Sequence, residues 1–371
     1  MNAYAVSSII LAFFATAGAI PMLRVLPQVL RSGALGEPLP VPDTAHPRVA
    51  GPGVFFGIFI ASFYLLDPTP AAAGGLVLGA LLLIVIGSVA EEVGPRPARP
   101  WRAFAAGTVG TVVAGVFALE YLDYYRTGWT IGFFVVLIAA LLTPLAMARM
   151  ANRAGASAAA PTAIGLIEVL SLLLFGALSA VDRSRYALAD EFLVVALPAV
   201  GSLVAALIYQ LPMPWRRQAL VATGIGGSLA LGLLIAWGVL RLGPATARSY
   251  GGMSALLWLI AVPLFELVLD AVRFWYVRFG GRLDLPGRPI RRVSLRLHSL
   301  PYLCTSAVVM SSIGLVLWHL EIVGALSAFL LLPAFAVYLL VPQVLAAFPI
   351  GRGLATSALD QAAGASNRQA S

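Results

Sequence analysis

The stretch RRQALVATGIGGSLALGLLIAWGVLRL, Arg216 to Leu242, decides how this chain must fold. Arg216 and Arg217 lead into it, Arg241 closes it, and no charged residue stands between. A helix of about 20 apolar residues crosses the hydrocarbon core of a bilayer, so the stretch reads as a membrane span. Its opening, ATGIGGS (Ala222 to Ser228), carries three glycines and a serine but no acid; Ile225 sits in their midst. Two readings of those small residues stand side by side. Glycines at a helix start let backbone N–H groups approach an anion, where the helix dipole favours negative charge. Alternatively, Gly224, Ser228 and Gly232 lie four apart and form a seam for close helix packing.

Composition extends the membrane reading to the whole chain. Of 371 residues, 60% are hydrophobic and 11% charged, where a soluble domain carries about 25% charge. The first apolar segment, Tyr4 to Val25, is too long for a signal-peptide core and lacks a basic leader and a cleavage site, so it reads as the first span. Segments near 52–68, 70–90, 102–121, 129–148, 158–181, 191–211, 219–241, 252–272, 300–320 and 323–347 follow. The expected fold is therefore all-α, a polytopic bundle of about eleven spans. Merging the pair that flanks DPTP (Asp67 to Pro70) would make it ten. One transmembrane domain covers 1–350, and residues 351–371 read as a disordered cytoplasmic tail.

The arginines set the orientation. All 24 basic residues are arginine. With the N-terminus outside, only Arg126, Arg183, Arg185, Arg241 and Arg248 face outward, and the other nineteen lie on the cytoplasmic side. That asymmetry predicts N-terminus out and C-terminus in. It also gives the high pI a topological cause, so nucleic acid is not an expected partner. Cys304 is the only cysteine, which excludes an intramolecular disulfide and a cysteine metal cluster. His319, beside Trp318, reads as an interfacial anchor, whereas His46 and His298 fall in the two long inner loops, 26–51 and 273–299.

Six polar stretches then share the inner face: VPDTAHPRVAGPGVFFG from Val41, GSVAEEVGPRPAR from Gly87, RMANRAGASAAA from Arg149, the glycine-rich opening, VPLFELVLDAVRFWYVR from Val262, and RRVSLRLH from Arg291. Acids, histidines and arginines gathered at one face describe a site for a phosphate-bearing anion, with or without a metal. The plainer reading is that short loops collect polar residues anyway.

In order and spacing these stretches resemble the polyprenyl-phosphate sugar-1-phosphate transferases, the family of phospho-N-acetylmuramoyl-pentapeptide transferase and the UDP-GlcNAc:undecaprenyl-phosphate transferases. AHPRVAGPG resembles the family's His-Pro-Arg-Gly-Gly loop through His46, Arg48, Gly51 and Gly53. GSVAEEVG resembles Gly-x-x-Asp-Asp, with Glu91 and Glu92 in the acid places. Asn152 falls on the asparagine of Asn-x-x-Asp-Gly-x-Asp-Gly. ATGIGGSLALG resembles Phe-Leu-Gly-Asp-x-Gly-Ser-x-x-x-Gly through Gly224, Gly227, Ser228 and Gly232. Glu266 takes the Asp place of Val-Pro-Ile-x-Asp-Thr, and His298 matches the remnant of a multi-histidine loop.

The resemblance implies a multi-pass protein of the bacterial cytoplasmic membrane that joins a UDP-sugar to polyprenyl phosphate with Mg2+ in envelope polysaccharide synthesis. Glu91, Glu92 and His298 would be catalytic and Glu266 a metal ligand. His46, Arg48, Asn152, Gly224, Gly227, Ser228, Arg291, Arg292 and Arg296 would hold phosphate or nucleotide, and a homodimer is compatible with this arrangement. The departures fall on the acids. Ile225 replaces a metal-binding aspartate, Gly155 and Ala158 replace two more, and Glu91 and Glu92 are a methylene longer than the family's pair. Mg2+ needs near-octahedral oxygen geometry, so the ordinary reaction is expected to be slowed or lost. The alternatives are an inactive relative that binds lipid phosphate or a partner enzyme, and a transporter or flippase. Glu168 stands apart, midway along the sixth expected span, where a carboxyl is costly. It either binds a proton or cation or bonds to a neighbouring helix.

Overall fold

The computed structural model describes residues 2–35, 47–65, 71–92, 131–151, 158–179, 186–214, 216, 219–246, 252–279, 300–320 and 324–347. Among these residues the chain forms helices and no strand. In chain order they are α1 (Asn2–Leu35), α2 (Ala50–Leu65), α3 (Ala71–Glu92), α4 (Ile131–Ala151), α5 (Ala160–Ser179), α6 (Tyr186–Gln210), α7 (Gly224–Thr246), α8 (Gly252–Leu259), α9 (Ala261–Phe279), α10 (Leu300–His319) and α11 (Gly324–Ala347). The expected segment 102–121 and the tail 351–371 lie outside the described residues.

Among the described residues five stretches are long and apolar enough to cross a membrane: Ala5–Val25, Ala160–Leu178, Phe192–Gln210, Gly224–Leu242 and Leu300–His319. Four shorter apolar helices accompany them: Ala50–Phe63, Gly75–Ser88, Ile138–Ala151 and Phe329–Val341. Around the outside, Val6, Ile10 and Phe14 of α1, Leu78 and Val85 of α3, and Phe329 and Leu332 of α11 are exposed. Large apolar side chains turned outward on several helices fit a lipid surround. One expected span, 252–272, is divided: the helix breaks at Ile260 between α8 and α9. Pro263 explains the weak point, because it has no N–H to give the Leu259 carbonyl four residues earlier.

The bundle is organised around α7. In its apolar window 89% of residues are buried, against 28% for the windows of α1 and α10. It packs against α2, α3, α4, α5, α6 and α8. A helix apolar on all sides is the one a bundle encloses, and here small residues let its neighbours come close. A methyl group on Gly232 would stand 2.4 Å from the Pro144 Cα of α4.

Prolines inside the helices are compensated from neighbours. Pro21 leaves the Ala17 carbonyl of α1 without its helical donor, and the Tyr209 hydroxyl of α6 donates to it at 2.9 Å. Pro342 does the same to the Tyr338 carbonyl of α11, which the Tyr302 hydroxyl of α10 reaches at 2.5 Å. With no water in the hydrocarbon layer, a freed carbonyl takes such a donor from another helix.

Candidate functional site where helix ends meet the start of α7

Four helix ends converge on the start of α7 and the loop that leads into it. The segment before α2 pairs with it, Ala222 N–H donating to the Pro47 carbonyl at 2.9 Å and Ala50 N–H to the Ala222 carbonyl at 3.1 Å. The end of α6 joins through Leu220 N–H to the Tyr209 carbonyl, 2.9 Å. Thr223, immediately before the helix, ties in α5 and α6 together. Its hydroxyl lies 2.8 Å from that of Thr162, accepts from Gln210 Nε2 at 3.0 Å, and reaches the Ala158 carbonyl at 3.4 Å. All three side chains are buried, so this knot of polar groups is internal. Thr223 stands just ahead of a glycine that opens an apolar run, a position where Thr favours a helix start. That signal was in the sequence; the partners Thr162 and Gln210 were not legible from it.

The glycines complete the convergence. Gly224 starts α7 at φ 76°, backbone that glycine adopts without penalty. A methyl group on Gly51 of α2 would sit 2.2 Å from the Gly227 Cα, and one on Gly87 of α3 would sit 2.2 Å from the Gly226 Cα. Backbone therefore meets backbone at both crossings. Ser228 turns its hydroxyl back to the Gly224 carbonyl at 2.8 Å, the habit of serine inside an apolar helix. Of the two readings of the opening stretch, close packing accounts for Gly226, Gly227 and Gly232.

The other expected site residues are distributed as follows. Arg48 is exposed beside the pairing of residue 47 with Ala222. Arg216 donates to the Ile208 and Leu211 carbonyls, both at 2.7 Å, and so caps the end of α6. Glu91 and Glu92 form the last residues of α3, about one turn beyond the Gly87 contact. Ile225 is half-buried against the apolar core. Glu266 lies buried on α9, where the Tyr338 hydroxyl of α11 donates to Oε1 at 2.5 Å. His46, Asn152, Arg291, Arg292, Arg296 and His298 lie outside the described residues.

Among the described residues no group of three or more His, Cys, Asp or Glu side chains gathers to hold a metal. Ile225 offers hydrocarbon where the resembling family has a carboxylate, and Glu266 is engaged by a tyrosine of α11. No protein-family model matches the chain, and no curated protein matches it at a significant level.

Proposed function

We propose that this is a multi-pass protein of the bacterial cytoplasmic membrane, diverged from the glycosyl-1-phosphate transferase scaffold, which holds a polyprenyl phosphate at the helix ends around the start of α7. About eleven spans with the N-terminus outside would place those ends at the cytoplasmic surface. The observation that carries the reading is the convergence itself. Gly51 against Gly227 and Gly87 against Gly226 gather three of the six polar stretches, the Arg48 segment, the acidic end of α3 and the start of α7. Arginine beside a helix start suits a phosphate headgroup, which accepts several charge-assisted hydrogen bonds, while the prenyl chain lies along lipid-facing helices.

Transfer of a sugar phosphate from a UDP-sugar in the family's ordinary way is not part of this conclusion, because the aspartate place at the start of α7 is filled by Ile225. The test uses purified full-length protein. Native mass spectrometry with added polyprenyl phosphate is expected to show one lipid retained per chain, and retention of neutral polyprenol equally well would contradict the reading. Exchange of labelled UMP into a lipid-linked sugar diphosphate, with and without Mg2+, is expected to be silent. Metal-dependent exchange would make the chain an active transferase with ligands drawn from Glu91, Glu92 and the inner loops.

A further inference from the structure

Glu168 is a buried carboxyl that the lipid-phosphate reading leaves unused. It is fully buried on α5, and neither carboxyl oxygen has a hydrogen-bond partner among the described residues. Its depth follows from its neighbours. Gly165 faces Leu231, and further along α5 Gly176 faces Leu242, so α5 and α7 run parallel. Glu168 therefore lies opposite the middle of the Gly224–Leu242 span. A carboxyl at that depth marks a cavity, a partner or a bound ion.

The contacts of α10 supply what lies beside it. Helices α5 and α10 pack along one another, and the rings of Phe175 and Trp318 meet at 5.0 Å near the C-terminal end of each, so the two run in the same direction. Seven residues back on each helix is two turns down the same face. That step brings Glu168 and Ser311 to one level. Ser311 is 3% exposed, and its hydroxyl, too, has no partner among the described residues.

Along the same face α10 also meets α8 and α9. Gly314 is pressed on Trp258 and the Ala255 carbonyl, while Tyr302 bonds to Tyr338, which in turn bonds to Glu266, so the two courses are antiparallel. Three residues back from Gly314 is Ser311, and three on from Trp258 is Ala261. The hydroxyl is thus level with the break between α8 and α9. There Leu264 N–H reaches the Ile260 carbonyl only at 3.5 Å, and Pro263 has no N–H for the Leu259 carbonyl. Helices α5, α8 and α10 touch one another pairwise.

We propose that Glu168, Ser311 and the loosened carbonyls of Leu259 and Ile260 form a binding site for a monovalent cation, with sodium as its occupant. Lipid forces every polar group at this depth to find a partner, and irregular backbone persists there where protein or a cavity surrounds it. A carboxylate, a hydroxyl and backbone carbonyls are all hard oxygen donors. One carboxylate balances one positive charge; a divalent ion would leave a buried charge uncompensated, which is costly. An interrupted helix that offers carbonyls to an ion at the midplane is the device by which secondary transporters bind coupling cations. The inference stands independently of the lipid-phosphate reading, since none of these residues lies at the start of α7.

Dicyclohexylcarbodiimide provides the test: a protonated carboxyl buried in lipid adds across a C=N bond of this apolar reagent, and the adduct rearranges to a stable N-acylurea with no leaving group. Purified full-length protein in nanodiscs is treated in NaCl or in choline chloride of equal ionic strength, and modified peptides are mapped by mass spectrometry. In choline, Glu168 is expected to be modified. With sodium at about ten times its dissociation constant, roughly a tenth of the sites stay free, so modification should slow about tenfold. Ser311→Ala should raise the protecting sodium concentration several-fold while leaving labelling in choline unchanged. Equal labelling in both salts would overturn the proposal in favour of a carboxyl that binds only protons. Absence of labelling at Glu168 in either salt would overturn it in favour of a closed structural hydrogen bond. Thermal unfolding gives a second reading: NaCl should raise the midpoint of the wild type relative to choline chloride but not that of Glu168→Gln, and equal shifts in both proteins would contradict the site.

Discussion

At the residue scale, Gly227 carries the sharpest consequence. An added methyl group would stand 2.4 Å from the Gly51 Cα, a backbone atom with no rotamer to yield. Gly227→Ala should therefore force α2 and α7 apart and cost about 2–3 kcal/mol, in the range of overpacked cores. Gly18→Ala is the control, because nothing lies within 4 Å of its added carbon; it should be neutral or slightly stabilising, as alanine favours helix. Thermal unfolding in detergent compares the two, and similar midpoints would contradict the packing account. Thr223→Val tests the buried knot. It removes the acceptor for Gln210 and the partner of Thr162, with an expected loss of about 1–3 kcal/mol from unsatisfied buried groups. The glycines of the opening stretch were visible in the sequence, yet their purpose was not. An anion site and a tight crossing both demand small residues, and the sequence does not show that Gly51 and Gly87 stand opposite Gly227 and Gly226.

At the scale of the elements, proline and tyrosine act in pairs. Tyr209→Phe and Tyr302→Phe each keep the ring and remove the hydroxyl that satisfies a carbonyl freed by Pro21 or Pro342. Each should destabilise by about 1 kcal/mol, the usual worth of a side-chain hydrogen bond within a membrane bundle. Urea or heat titration of the purified variants would show it, and wild-type stability in both would mean that the carbonyls are satisfied otherwise. The positions of the helices were legible because a bilayer dictates their length and composition. The break at Ile260 was not. Pro263 stands in plain view, but Pro144 and Pro198 lie inside unbroken helices, so proline alone does not say where a helix divides. Tertiary packing chooses among them.

At the scale of the whole molecule, hydropathy marked out apolar spans but ranked none of them as the centre. The α7 stretch is no more apolar than its neighbours; only its small residues hint that other helices close over it, and burial reveals that they do. Orientation rests on the arginine asymmetry. A reporter that fluoresces only in the cytoplasm, fused after Ser371, should be bright, and a reporter active only outside should be silent there. The reverse result would turn the convergent helix ends to the outer surface and remove a cytoplasmic phosphate donor from consideration. The claim on which the functional account rests is that those ends receive a lipid phosphate. A photoreactive short-chain polyprenyl phosphate, cross-linked to the protein in nanodiscs and mapped by mass spectrometry, tests it most directly. The account predicts labelling in 47–52 and 219–224 that unlabelled polyprenyl phosphate displaces and polyprenol does not; labelling confined to the lipid-facing sides of α1, α10 and α11, displaced equally by both, would contradict it.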